Sequence, residues 1–334
     1  MNLFRILSVV VALLVALPAV CAAKVKLATL APTGSSYYKS LLAMREAWRK
    51  ISGGAIDLVI YGDGKLGGEA DTVGLMAVNS IQASMLTTVG LSDIEKGVAG
   101  LQSIPMGFND FAEVDYVGAK LQPMLDQQLL KKGFVVLFWT DAGWVRIFTK
   151  KPVVHPADLK PMKLFTWAGS PDEVTIYRSA GFNPVALETA DILPGLQTGL
   201  IDAAPMPPIF ALLSQVDMRA PYMLEINYAP LVGACVIRKE SWESFPAGIR
   251  GELLKVAQAA GQEIKQNGRK EGEESVQAMQ KRGLKVTKVT PEIEAEWRAM
   301  GESVYPQIRA RVVPEDVFDQ ALKFIKEYRA DQHH

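Results

Sequence analysis

Histidine occurs only three times in this 334-residue chain, and two of the three are the terminal His333 and His334. The internal one, His155, lies between Val154 and Pro156 in a polar stretch. A Ser–His or Cys–His nucleophile would have to use it, and no Gly-x-Ser-x-Gly elbow accompanies it. Cys21 and Cys235 are the only cysteines, so a zinc site built on histidine and cysteine lacks ligands. No phosphate loop of the Walker type is present. No metal or cofactor is expected, and the chain does not read as an enzyme. The one acid–base device left open is a pair of carboxylates, which would make a secreted hydrolase.

The N-terminus points to export. One positive charge, Arg5, precedes the apolar run Ile6 to Leu17, Pro18 breaks it, and small residues (Ala19, Ala22, Ala23) lead to Lys24. That is the layout of a signal peptide over residues 1–23, which directs the chain to the periplasm. The run is too short for the roughly 20 residues of a spanning helix. Pro18 and Val20 fit a lipobox around Cys21 poorly, so lipid anchoring is not expected. The remaining chain carries 35 basic and 36 acidic residues. That balance gives no electrostatic reason to expect nucleic acid as a partner. One remaining cysteine allows no internal disulfide, so the core must hold the fold alone.

The elements that would carry a site alternate between strands and helices. Val25 to Leu30, Ile56 to Tyr61 and Val135 to Trp139 read as strands, and a helix is expected from about Tyr37 to Ile51. The order implies α/β layers with mostly parallel sheets. A weak repeat is visible. Lys26 to Ala31 resembles Lys163 to Ala168, each leading into a Gly/Ser/Pro loop and then a helix, and Asn79 to Ala83 echoes Gly199 to Ala203. Two similar lobes follow, with ligand expected beyond the C-terminal ends of the strands. Pro246 to Lys281 reads as one long helix, which Gly261, Gly268 and Gly272 make prone to bend. Helices from about Pro291 to Arg309 and Pro314 to Arg329 end the chain.

Three segments in order carry a family resemblance: Leu66-Gly67-Gly68-Glu69; Gly143 to Thr149 followed by Pro156 to Leu164; and Gly181 to Pro184 followed by Leu196 to Ala203. Together they resemble the periplasmic substrate-binding proteins of tripartite ATP-independent periplasmic (TRAP) transporters, the DctP-like family. The resemblance extends to a subgroup associated with tetratricopeptide-repeat partner proteins. It implies a two-lobed periplasmic-binding-protein architecture, with crossing strands, a ligand cleft between lobes and a long connecting helix. The corresponding division is 24–143 plus 230–271 for lobe I and 144–229 plus 272–334 for lobe II. The implied function is capture of a small molecule by hinge closure and its delivery to the membrane permease subunits. A carrier or sensor-feeding protein for a lipid-like ligand is the alternative.

Two departures bear on the ligand. The family typically reads Asp-Leu-Lys-Gly-Leu-Lys-Ile-Arg, whose arginine grips the ligand carboxylate as a bidentate pair. Here Phe165 takes that place. Where the family carries Glu-Asn after the next strand, Pro205 and Met206 stand. Both changes run from polar to apolar, and apolar burial yields about 25 cal/mol per Å². A hydrophobic or amphipathic ligand is therefore expected. Its candidate contacts are Phe165, Met206, Pro205, Trp167, Trp139 and Trp144, with Pro32 and Ser36 on the first loop and Thr87 and Thr88 after a strand. Arg146 matches a family arginine that often contacts ligand, and a pairing with a carboxylate such as Asp141 is equally open. Glu69 reads as a residue that caps or positions a helix.

Overall fold

The computed structural model describes residues 23–332, so the signal-peptide segment up to Ala22 lies outside them. Eleven strands and twelve helices follow in order. They are β1 (Ala23–Thr29), α1 (Ser36–Ile51), β2 (Ile56–Tyr61), α2 (Glu69–Ala77), β3 (Ala83–Thr87), α3 (Thr88–Ser92) and α4 (Phe111–Lys131). Next come β4 (Phe134–Trp144), β5 (Arg146–Thr149), α5 (Pro156–Leu159), β6 (Lys163–Trp167), α6 (Pro171–Ser179), β7 (Asn183–Leu187) and α7 (Ile192–Thr198). The chain continues through β8 (Ala203–Met206), α8 (Pro208–Leu213), β9 (Tyr222–Glu225), β10 (Pro230–Arg238), α9 (Lys239–Glu243) and α10 (Ala247–Lys281). It ends with β11 (Lys285–Lys288), α11 (Pro291–Arg311) and α12 (Glu315–Asp331).

Two sheets form, ordered β2-β1-β3-β10-β4 and β11-β9-β5-β8-β6-β7. In the first, β1 is flanked by β2 and β3, both parallel to it; in the second, β6 is flanked in the same way by β7 and β8. The sequence repeat is thus structural, because Lys26 and Lys163 lie on the equivalent strands β1 and β6. The sheets are mixed rather than mostly parallel. In each, a strand arriving from the other lobe runs antiparallel: β10 beside β3 and β4, and β5 beside β8 and β9.

The crossings are adjacent in space. The passage from β4 to β5 at Val145 runs beside the passage from β9 to β10. The Val145 N–H donates to the Ala229 carbonyl at 2.8 Å, and the Tyr228 N–H returns a 3.4 Å bond to Val145. Gly143, at φ +85°, makes the turn into this crossing without a Cβ penalty.

Helix α1 shows how local sequence and packing agree. The Ser35 hydroxyl caps it by accepting from the Tyr38 N–H at 3.2 Å. Tyr37, Leu41, Met44 and Trp48 recur at helical spacing on its buried face. The Trp48 indole N–H donates to the Leu253 carbonyl of α10 at 2.9 Å. Helix α10 spans 35 residues, about 52 Å at 1.5 Å per residue. It packs on α1 and β4 in the first lobe and on α8 in the second.

Gly261 and Gly268 serve close approach, Gly272 faces open space, and the helix is continuous through all three. A Cβ at Gly261 would lie 2.6 Å from the Phe138 ring, and one at Gly268 would collide with the Tyr37 hydroxyl. Gly261→Val is therefore expected to destabilise the chain by about 2–3 kcal/mol through overpacking, read as a lower urea midpoint at unchanged slope.

The C-terminal segment draws on both lobes, and the Tyr305 hydroxyl of α11 donates to the Pro105 carbonyl of the first at 2.9 Å. Strand β11 pairs with β9, and α11 packs on α6, both in the second lobe. Helix α12 instead lies on α4 of the first lobe, where Arg329 pairs with the buried Glu113 at 2.6 Å.

Candidate functional site

A cavity of about 600 Å³ lies between the lobes. From the first lobe it is bounded by the β1–α1 loop (Thr29 to Pro32), by Tyr37 and Glu69, by the end of β3 (Met85 to Thr87), and by Thr140, Asp141 and Ala142 of β4. From the second it is bounded by Trp167, the start of α7 (Ile192 to Pro194), Met206, Pro207 and Phe210. These are the ends of equivalent strands and the loops that follow them, as the doubly wound topology dictates. The lobes touch around the cavity: Tyr37 and Phe210 rings lie 5.7 Å apart, and the Glu188 carboxylate covers Gly68.

Only two of the lining residues, Glu69 and Asp141, are charged, and both are acidic. Glu69 opens α2 and ties it to the β3–α3 turn. Its carboxylate accepts from the Thr87 N–H at 2.7 Å, the Thr87 hydroxyl at 2.6 Å and the Gly90 N–H at 2.9 Å. Burial nevertheless pushes its pKa above the ordinary carboxylate value. The positioning role read from Leu66-Gly67-Gly68-Glu69 is the one its bonds describe.

Asp141 is 3% exposed and accepts two bonds from Arg269 on α10, from Nε at 3.1 Å and Nη2 at 2.7 Å. Arg269 also makes two bonds to Asp115 and stacks over Phe111 at 4.2 Å. The negative charge at this wall is therefore compensated from outside the cavity.

The structure brings four of the sequence-derived candidates together on this cavity: Pro32, Thr87, Trp167 and Met206. Phe165 is 2% exposed and packs edge-on against Trp167 at 5.0 Å. It belongs to the core of the second lobe with Phe148 and Leu196, and with Pro205 it borders a smaller chamber of about 80 Å³. The expectation that Phe165 lines the main cleft is corrected to a place behind Trp167, which borders both spaces.

Arg146 stands opposite Met206 in the β5–β8 register, so both side chains leave the same face of the sheet. Its guanidinium pairs with Glu273 of α10 at 3.5 Å, so the carboxylate partner is Glu273 rather than Asp141, and Arg146 does not line the cavity. Burial lowers its pKa, against the pull of Glu273 and Glu225.

The other four point elsewhere. The Trp139 indole donates to Asp126 at 2.7 Å, on the α4 side of the sheet, because side chains alternate along β4. Trp144 stacks on Phe111 at 4.8 Å. The Ser36 hydroxyl donates to Glu271 at 2.7 Å, and Thr88 lines a separate groove between the lobes. Tyr37, Thr140, Phe210 and the start of α7 were missed. They sit on helix faces and strand ends that read from sequence as ordinary core or loop.

Comparison with known proteins establishes the family. The family model for "Bacterial extracellular solute-binding protein, family 7" (DctP) matches residues 27–311. The C4-dicarboxylate-binding periplasmic protein DctP of Rhodobacter capsulatus is 22% identical over 286 residues, covering 84% of each chain. The 2,3-diketo-L-gulonate-binding periplasmic protein YiaO of Escherichia coli is 26% identical over 238 residues, 70% of this chain and 71% of that one. A TRAP periplasmic solute-binding protein from Ralstonia eutropha, solved with bound (S)-2-acetolactate, superposes with a TM-score of 0.84 at 22% identity. That match covers 91% of this chain and 99% of the other. With its two-lobed α/β fold and the cavity between its lobes, this chain belongs to the bacterial extracellular solute-binding proteins of family 7, the DctP family of TRAP transporter binding proteins.

Proposed function

We propose that the protein is exported by its signal peptide to the periplasm and there captures a neutral, hydrophobic or amphipathic small molecule. Closure of the hinge at Val145 and Ala229 traps the ligand, and the closed form delivers it to the membrane permease without chemical change. The observation that carries the ligand class is that, among the described residues, no lysine, arginine or histidine lines the 600 Å³ cavity. The named relatives bind acids, and a carboxylate taken from water needs a cation or several donors to offset desolvation. Here Arg146 is already engaged by Glu273, and the two lining carboxylates, Glu69 and Asp141, offer an anion no counter-charge. Trp167, Met206, Phe210 and Pro32 offer apolar contact instead, with Thr87 at the wall.

The same surface would serve a carrier or sensor-feeding role, and docking of a tetratricopeptide-repeat protein or a permease distinguishes these by pull-down. The ligand class is tested with two probes. Fluorescence of the neutral dye N-phenyl-1-naphthylamine is expected to rise and saturate with the protein, while succinate produces no calorimetric signal. Tight succinate binding that disappears in Arg146→Ala would overturn the ligand class and return Arg146 to the site.

A further inference from the structure

The lobes also meet on the far side of Trp167, where one carboxylate has no charged partner. Glu173, on α6 of the second lobe, borders the 80 Å³ chamber on one side and a groove of about 190 Å³ on the other. Its contact across the interface is a 3.5 Å bond from the Ser103 hydroxyl of the first lobe. We infer that Glu173 is a proton-dependent latch between the lobes, neutral when they are closed and ionised when they part, so that closing the cleft takes up a proton. This rests on the hinge-closure reading above and adds its regulation.

The surroundings explain the sign. On the chamber side Glu173 faces the hydroxyls of Tyr177 and Tyr228, which bond each other at 2.9 Å, and Thr166, whose hydroxyl has no partner. Ile176 of α6 and Met300, Val304 and Ile308 of α11 line it further, together with Phe165, Phe182 and the amide of Gln102. On the groove side stand Asp93, Lys96, Asp172 and Arg311. Among the described residues none forms an ion pair with Glu173, and no charge offsets its burial. Glu173 is half-buried, and desolvation of its carboxyl in this seam pushes it up to about 7. When the first lobe withdraws Ser103 and water enters, the group returns toward the ordinary glutamate value of about 4.3. The closed state therefore binds more protons between those two values. Closure is favoured in full below that window, weakens as pH rises through it, and is flat above about pH 7. At the mouth, Glu188 faces Asp71 across the lobes with Asp191 beside it, and its pKa is also raised, through burial and those two carboxylates. It is another carboxylate at the lobe interface, and a comparison for Glu173.

The test needs no ligand. Spin labels on cysteines replacing Val78 and Leu200, both exposed and each following the equivalent helix in its own lobe, report lobe separation. Cys235 is buried and its thiol pushed up, so it escapes labelling. The closed-to-open ratio is expected to fall up to about 75-fold from pH 5 to pH 8, for one proton. Glu173→Gln should remove most of the fall across that range, while Glu188→Gln should leave most of it in place. A native chain indifferent to pH, or a fall that survives Glu173→Gln and vanishes with Glu188→Gln, would overturn the inference. Either outcome would leave the ligand reading standing, because that is judged by probe binding alone.

Discussion

Replacing Arg269 by alanine is expected to destabilise the protein by about 3–5 kcal/mol, the cost of leaving a buried ion without its partner. Arg269 makes two bonds to Asp141, which is almost fully buried, and two to the half-exposed Asp115. The second pair contributes little, because exposed ion pairs are worth at most about 1 kcal/mol. The loss comes from Asp141, whose carboxylate would keep only the 3.2 Å bond from the Gly143 N–H. Asp141 lies just before the crossing and also lines the cavity, so the same change should loosen the hinge. Urea unfolding measures the loss. Adding Asp141→Asn to Arg269→Ala should recover much of the stability, since an amide costs far less to bury than a carboxylate. If the double variant is as unstable as the single one, the arginine acts through its packing on Phe111 and not through charge.

The second large effect is on binding. Met206→Arg would place a cation on the cavity wall, directly opposite Arg146 in the β5–β8 pair. Glu273 can neutralise only one of the two. Affinity for N-phenyl-1-naphthylamine is expected to fall at least about 100-fold, because an uncompensated charge facing an apolar ligand costs several kcal/mol. Succinate should gain affinity in the same variant, for the opposite reason. Thermal unfolding with and without each compound checks both halves, since a ligand that binds only the native state raises the midpoint. An unchanged dye affinity would remove Met206 from the site, and with it most of the case for an apolar ligand.

Much of the architecture was legible before any coordinates. The strand Ile56–Tyr61 and the long helix to Lys281 depend on local hydrophobic period and on stops such as Gly53-Gly54, which are written in consecutive residues. The repeat linking Lys26 to Lys163 was readable because equivalent strands bury the same face and so select similar residues. Antiparallel β5 and β10 were not readable, because the direction of a strand in its sheet depends on where the chain has come from, which no local pattern records.

The site divided along the same line. Sequence by itself determined the two lobes and the loops at the strand ends, which follow from residue type and order alone. That Phe165 stands in place of a family arginine is what the family resemblance implies. Tertiary structure decided which side chains share a space. It put Phe165 behind Trp167 and drew Arg146 to Glu273. It also turned Trp139 to the other face of β4 and brought Tyr37 from one lobe against Phe210 of the other. The physical reason is that a cavity wall is assembled from residues far apart in the chain. Which of them face it depends on pleat, helix rotation and the angle between lobes, and a shift of one residue on a strand reverses the answer.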